Sequence, residues 1–505
     1  MNWRKQIILI VVLVAAILAI GLLARHTGNG SALTQYKAEL RAKGEKLTLT
    51  ELALPLSTNA EEVASREFFA TNLDDVTTNK FRLTGPSALW ELEFVSPGKA
   101  RVIWRGRLHL ATNSTFQGIT NVSALGDWVE FDRQNENVAA RLGQFRQALQ
   151  HPSPDRGWVY QDTLPYLTNR PKINFASERE LAFGLANAEI GALHKEDLNP
   201  ALADLHALIS LAQQGQNELM MNLQMFRSTV ATLALHATWE ALQASNWNEQ
   251  QLAELQQHWN QVDIYAGLER GILSQRATCQ IIMQYLRQSK GNENWNGISM
   301  DSQSDPVLKI LLHTPLASFW KKHVTPAVYR MFSLDGDELF QLRNLSKEVE
   351  MCRLFKSNRP WPEIKAINSL INSNMQAELS GKSNGNVLFH NYMASAAILP
   401  NLTRYLERYA HIETQRRLTI TAIALKRYEL KHGQPPPSLA RLVRDFLVEV
   451  PLDPMSGQEL CYRLNPDATF VLYSVGEDGK DDGGQAGMGL WQGPDAVWPT
   501  AVTQD

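Results

Sequence analysis

Residues 198–262 read LNPALADLHALISLAQQGQNELMMNLQMFRSTVATLALHATWEALQASNWNEQQLAELQQHWNQV, and apolar side chains recur along them at helical spacing. Leu202, Leu205, Leu208, Ile209 and Ala212 form one stripe. Leu219, Leu223, Phe226, Val230 and Leu233 form a second, and Leu252, Leu255, Trp259 and Val262 a third. Steps of three and four residues place each set on one side of an α-helix. Asn199-Pro200 and the stretch from Asn246 to Asn248 punctuate these helices. The same texture runs from about 123 to 410, interrupted by polar loops at 291–306 and 380–387. The fold class is therefore mainly α, a helical bundle or an irregular solenoid. No fixed-period repeat is visible, so tetratricopeptide-type arrays are not supported.

Working toward the N-terminus, Phe81 to Leu110 holds two β-prone stretches, LWELEFV and ARVIWRGRLHL. Ser96-Pro97-Gly98-Lys99 between them is a hairpin-like loop, which predicts a small β element. Residues 25–50 are polar and helix-compatible, and read as a solvated stalk. Before them, Ile7 to Ala24 is IILIVVLVAAILAIGLLA, with no charge and no proline. Its length meets the threshold of about 18 residues for a transmembrane helix. A cleaved signal peptide has a shorter apolar core and a small-x-small site, and no A-x-A precedes Arg25. A retained single-pass anchor is the expectation. Arg4 and Lys5 favour a cytoplasmic N-terminus, whereas Arg25, Lys37, Arg41, Lys43 and Lys46 pull the other way. Long domains translocate largely regardless of such charges, so the large domain is expected outside the cytoplasm.

At the other end, a helix is expected from about Glu413 to Lys431, with Leu418, Ala422, Leu425 and Tyr428 on one face. Lys431 and His432 suit the negative end of the helix dipole, Gly433 suits a left-handed C′ position, and Pro435-Pro436-Pro437 cannot continue the helix. Ser438 is placed to cap a second short helix carrying Leu439, Leu442, Val443 and Phe446. An extended Val450–Pro454 segment follows, then strands at Glu459–Leu464 and Thr469–Val475 around the turn Asn465-Pro466-Asp467. The loop Gly476–Gly484 is rich in glycine and acid. Calcium takes six to eight oxygen ligands, and Glu477, Asp478, Asp481 and Asp482 offer carboxylates on a backbone that can turn carbonyls inward. The spacing is not that of an EF-hand, and a solvated acidic turn stands beside calcium as an alternative.

The order YELKHGQPP, short helix, VPLDPMSGQELCYRL, FVLYSVGEDGKDDGG resembles the C-terminal domain of the major pseudopilin of type II secretion. The likeness covers roughly residues 413–500, and implies a small α+β unit with a calcium-binding loop. Carried onto this chain it implies Asp478, and also Asp495, as metal ligands beside Asp481 and Asp482. The remaining helical part is similar to uncharacterised bacterial membrane-anchored proteins with the same tail, for which no activity is implied. In a pseudopilin the apolar helix is continuous with the globular one and carries an early Glu. Here Ile7–Ala24 contains no Glu and Ala24 lies about 390 residues before Glu413. Prepilin-type processing and packing into a pilus are therefore not expected.

The organisation that follows is an anchor (1–30), a stalk and mixed α/β segment (31–122), a helical domain (123–410) and a pseudopilin-like α+β domain (411–505). A net charge of −3 and the lack of any long basic run argue against nucleic acid as a partner. Three scattered cysteines, Cys279, Cys352 and Cys461, suit buried small hydrophobes rather than a zinc cluster. No Walker A loop or dinucleotide fingerprint occurs, and no catalytic residue is nominated. His194, His206, His236 and His258 lie on expected helices without ligand spacing, and Asp335–Glu338 reads as a solvated acidic turn. The tryptophans fit core packing better than a carbohydrate platform. The functional expectation is a single-pass protein of the bacterial inner membrane, its large domain periplasmic, serving as an interaction or scaffold protein. A secretion-system accessory and an envelope hydrolase with a site assembled in the fold are the alternatives.

Overall fold

The computed structural model describes residues 27–72, 92–96, 99–105, 123–125, 128–169, 173–288, 329, 331, 333–380, 395, 403–487, 490–491 and 493–498. The fold is mainly α. Helices α1 (27–42), α2 (Leu49–Leu52) and α3 (Ala60–Asn72) precede a three-stranded antiparallel sheet ordered β1 (Leu92–Ser96), β2 (Lys99–Arg105), β3 (Ser123–Leu125). Ser96 pairs with Lys99, and residues 97–98 of the expected hairpin loop lie outside the described residues. Among the described residues no helix is long and apolar enough to cross a membrane, and Ile7–Ala24 lies outside them.

The helical body comprises α4 (Trp128–Ala148), α5 (Leu164–Thr168), α6 (Phe175–His194), α7 (Leu198–Gln213), α8 (Met221–Ala241), α9 (Glu249–Asn260) and α10 (Ile264–Gln288). Beyond them come α11 (Leu334–Lys356), α12 (Trp361–Leu379) and α13 (Thr403–His432). Sequence neighbours pack on one another, α6 with α7, α7 with α8, α10 with α11. The stripes that define the helices face inward: Leu205, Leu208, Ile209, Leu223, Leu252, Leu255 and Trp259 are all fully buried. The punctuation has a physical basis. Asn248 and Gln251 form a reciprocal capping box, each side chain accepting from the other's backbone N–H at 2.9 and 3.1 Å. Pro200 sits in the first turn of α7, where its missing N–H costs nothing.

The stretch expected to be a solvated stalk is docked. Leu33 packs with Leu339 and Leu342 of α11, and Leu40 and Leu47 are also buried. Arg276 of α10, 1% exposed, donates to Glu45 at 2.6 Å and to the Lys46 carbonyl at 3.1 Å. A polar, helix-compatible sequence conceals this because leucines seven residues apart leave most of the helix surface polar. Asp335–Glu338 likewise departs from expectation: it is the first turn of α11, with Asp337 and Glu338 buried. Asp337 accepts from Tyr329 and Ser395, and Glu338 pairs with Lys37 and Arg287.

In the tail, α13 begins at Thr403 rather than near Glu413, because Leu406, Tyr409 and Ala410 extend its buried face. The expected boundary at 410/411 falls inside this helix. Gly433 ends the helix at φ +74°, its N–H donating to the Glu429 carbonyl at 2.7 Å. Ser438 makes no side-chain cap, and the short helix after it is a single 3₁₀ turn, Leu439–Leu442. β4 (Cys461–Leu464) and β5 (Phe470–Ser474) pair antiparallel, and β6 (Ala496–Val497) adds to β5. Leu472, Val475 and Trp498 join the same hydrophobic core as α4 and α6 to α13, so tail and helical body share one interior. Cys279 and Cys352 are buried, Cys461 is half-buried, and all three are free thiols.

Candidate functional site

The acidic loop of the tail closes on itself. Asp495 is buried, and its carboxylate accepts from the amides of Asp482 (3.3 Å), Gly484 (2.8 Å) and Gln485 (3.0 Å). Asp481 accepts from the Tyr473 hydroxyl and the Gly483 amide, each at 2.9 Å. Asp478 accepts from the Lys480 amide at 3.1 Å and is exposed, as is Asp482. Asp481 and Asp495 thus act as hydrogen-bond hubs that shape the loop. The four aspartates do not form a group of three side-chain ligand atoms within 4.8 Å of one another.

A different set does converge. Glu407 and His411, four residues apart on α13, meet Glu477 at the start of the loop, and their ligand atoms all lie within 4.8 Å of one another. Lys365 of α12 completes the group, with Nζ 2.7 Å from Glu477 and 3.6 Å from Glu407. His411 Nε2 is 2.9 Å from Glu477 Oε1, yet the two are not aligned as donor and acceptor. The imidazole stacks on Trp491 at 3.9 Å and 11°, which fixes its plane. Burial pushes the His411 pKa below its ordinary value despite the two carboxylates beside it. Partial burial works to raise that of Glu477, but the Lys365 hydrogen bond and the His411 and Lys365 charges hold it low. The hydrogen bond to Glu477 raises Lys365 in turn. The arrangement is a half-buried cluster of two carboxylates, one neutral imidazole and one ammonium at the seam between body and tail.

A second concentration of acid lies in the helical body. A cleft of about 390 Å³ is lined by Trp128, His194, Leu198, Glu240, Gln243 and Asn246 among others. Trp128 and His194 stack at 3.8 Å and 7° on its wall. Near Glu240 lies Glu189, fully buried, with both carboxylate oxygens lacking a hydrogen-bond partner. Burial, reinforced by Glu240 and Asp204, raises the Glu189 pKa well above its ordinary value and so favours the neutral acid. His206 and His258 stack at 3.8 Å elsewhere on the body. Trp247, Trp259 and Trp361 are buried in the core.

Comparison of the chain with protein-family models, with curated proteins and with solved structures finds no match. The seam cluster was only partly legible beforehand. Glu407-x-x-x-His411 is the i,i+4 spacing that puts two ligands on one helix face, and it was the available signal. Nothing in sequence brings Glu477 and Lys365 to it, since they arrive from the far side of a loop and from another helix.

Proposed function

We propose that the protein is a membrane-anchored scaffold of the bacterial inner membrane, held by Ile7–Ala24, whose periplasmic part presents the pseudopilin-like tail on a rigid helical body. The observation that supports this reading best is α13. One 30-residue helix supplies core residues to the helical body and carries the tail sheet against it. Its buried face is already occupied by this chain, which leaves the sheet and loops of the tail as the surface on offer. A fixed head on an anchored body is suited to holding a protein partner in the envelope. Calcium at Asp478, Asp481, Asp482 and Asp495 belongs to this reading through the resemblance alone. Melting curves with calcium and with chelator test it, and identical curves remove it.

In-cell crosslinking of tagged full-length protein, followed by identification of what co-purifies from membranes, tests the scaffold role. Reproducible capture of one envelope protein supports it, and capture of secretion components selects the accessory form. No specific capture at good crosslinking yield counts against both. The envelope-hydrolase reading draws on the cleft beside Glu189 and Glu240, where a neutral buried acid sits near a second carboxyl. Turnover of chromogenic glycosides or esters that disappears in Glu240→Gln would favour it; no turnover of either class would sink it.

A further inference from the structure

We propose that Glu407, His411 and Glu477 form a zinc site that clasps the tail loop to the long helix. This goes beyond the scaffold reading, and its test does not depend on any partner. Glu407 and His411 project from one face of α13, so their separation is set by helix geometry. Trp491 holds the imidazole plane by stacking, which leaves Nε2 aimed at Glu477 without a hydrogen bond between them. An imidazole nitrogen and a carboxylate oxygen 2.9 Å apart, with no hydrogen bond aligned between them, are placed as two ligands of a common ion. One nitrogen and two carboxylates suit zinc, which binds His at about 2.0–2.1 Å and carboxylate at about 2.0–2.2 Å in tetrahedral geometry with room for a water. They do not suit calcium, which takes oxygen only and more of it.

In the structure the Lys365 ammonium neutralises the two carboxylates. Its side chain is 41% exposed and flexible, so it can swing into solvent and yield its place to a doubly charged ion. A tetrahedral shell at about 2.0–2.1 Å sets its ligand atoms about 3.3 Å apart. His411 and Glu477, at 2.9 Å, are already that near, and the set as a whole lies within 4.8 Å, a gap that small carboxylate side-chain rotations cover. The ordinary alternative is a surface ion network of Lys365, Glu407 and Glu477 with no metal affinity.

The test is calorimetric titration of the full-length protein in detergent, stripped with chelator, using zinc chloride and, separately, calcium chloride. One equivalent of zinc is expected to bind, with calcium giving no heat at this site. His411→Ala and Glu477→Gln should each weaken zinc at least tenfold, while His151→Ala, at the exposed His151–Glu61 pair, should leave it unchanged. Lys365→Met removes the competing ammonium and should tighten zinc several-fold, a gain that a misfolded variant would not show. Absence of a zinc equivalent in the wild type overturns the proposal. So does zinc binding unchanged in His411→Ala and Glu477→Gln, or Lys365→Met that does not tighten it.

Discussion

The Ser474 hydroxyl donates to the Asp453 carboxylate at 2.7 Å inside the tail, and this bond ties the extended 450–454 segment to the end of β5. The same carboxylate accepts from the amides of Met455 (2.9 Å) and Val475 (3.0 Å), and Asp453 is completely buried. Burial raises its pKa more than these bonds lower it. Asp453→Ala would strand three buried donors at about 1–3 kcal/mol each. Denaturant unfolding should show a loss of about 3 kcal/mol or more, with Asp453→Asn losing less because one acceptor oxygen remains.

Two glycines of the tail share a left-handed backbone but differ in their surroundings. Gly433 has φ +74° and open space where a Cβ would go. Gly476 has φ +72°, and a Cβ there would lie 2.0 Å from the Pro494 carbonyl oxygen. Gly433→Ala should cost about 1 kcal/mol, from backbone strain alone. Gly476→Ala should cost about 3 kcal/mol or more, since the loop that carries Asp495 must move. Equal melting temperatures for the two variants would refute this contrast.

Glu45 and Arg276 hold the docked N-terminal segment to α10, and Glu45 also pairs with Arg353. Partial burial works to raise the Glu45 pKa, but the hydrogen bonds and charges of Arg353 and Arg276 bring it below the ordinary 4.5. The pair therefore contributes fully above about pH 4.5 and is lost as pH falls below it. Removing the carboxylate leaves a buried guanidinium without its counter-ion. Glu45→Ala should cost about 3–5 kcal/mol at pH 7, and the penalty should shrink in acid.

Glu348 has the opposite sign. It is buried on α11 with one carboxylate oxygen unpartnered, and burial pushes its pKa up to about 7 from 4.5. The folded protein keeps the proton over a range where the unfolded chain releases it. Stability should therefore decline as pH rises from about 4.5 to about 7, and stay reduced above that. Glu348→Gln should flatten this limb and stabilise the protein at pH 8 by up to about 3 kcal/mol, with little change at pH 4. A variant no more stable than wild type at pH 8 would contradict it.

The sequence by itself determined the helical class, the inward stripes of α7 to α9, the stop at Gly433 and the two tail strands to within two residues. Each follows from local chemistry: spacing of apolar side chains, a positive-φ glycine, a missing proline N–H. What only the tertiary structure decided is where the charges went. Glu45 reached Arg276 across 231 positions, Glu189 was buried without a hydrogen-bond partner, and Asp495 turned inward on backbone amides. Glu407, His411, Glu477 and Lys365 met at a seam that no run of residues announces. An apolar stripe states its own burial, because leaving water is favourable wherever the stripe lands. A charge does not, because its burial is tolerable only beside particular distant groups, or after it gives up its charge.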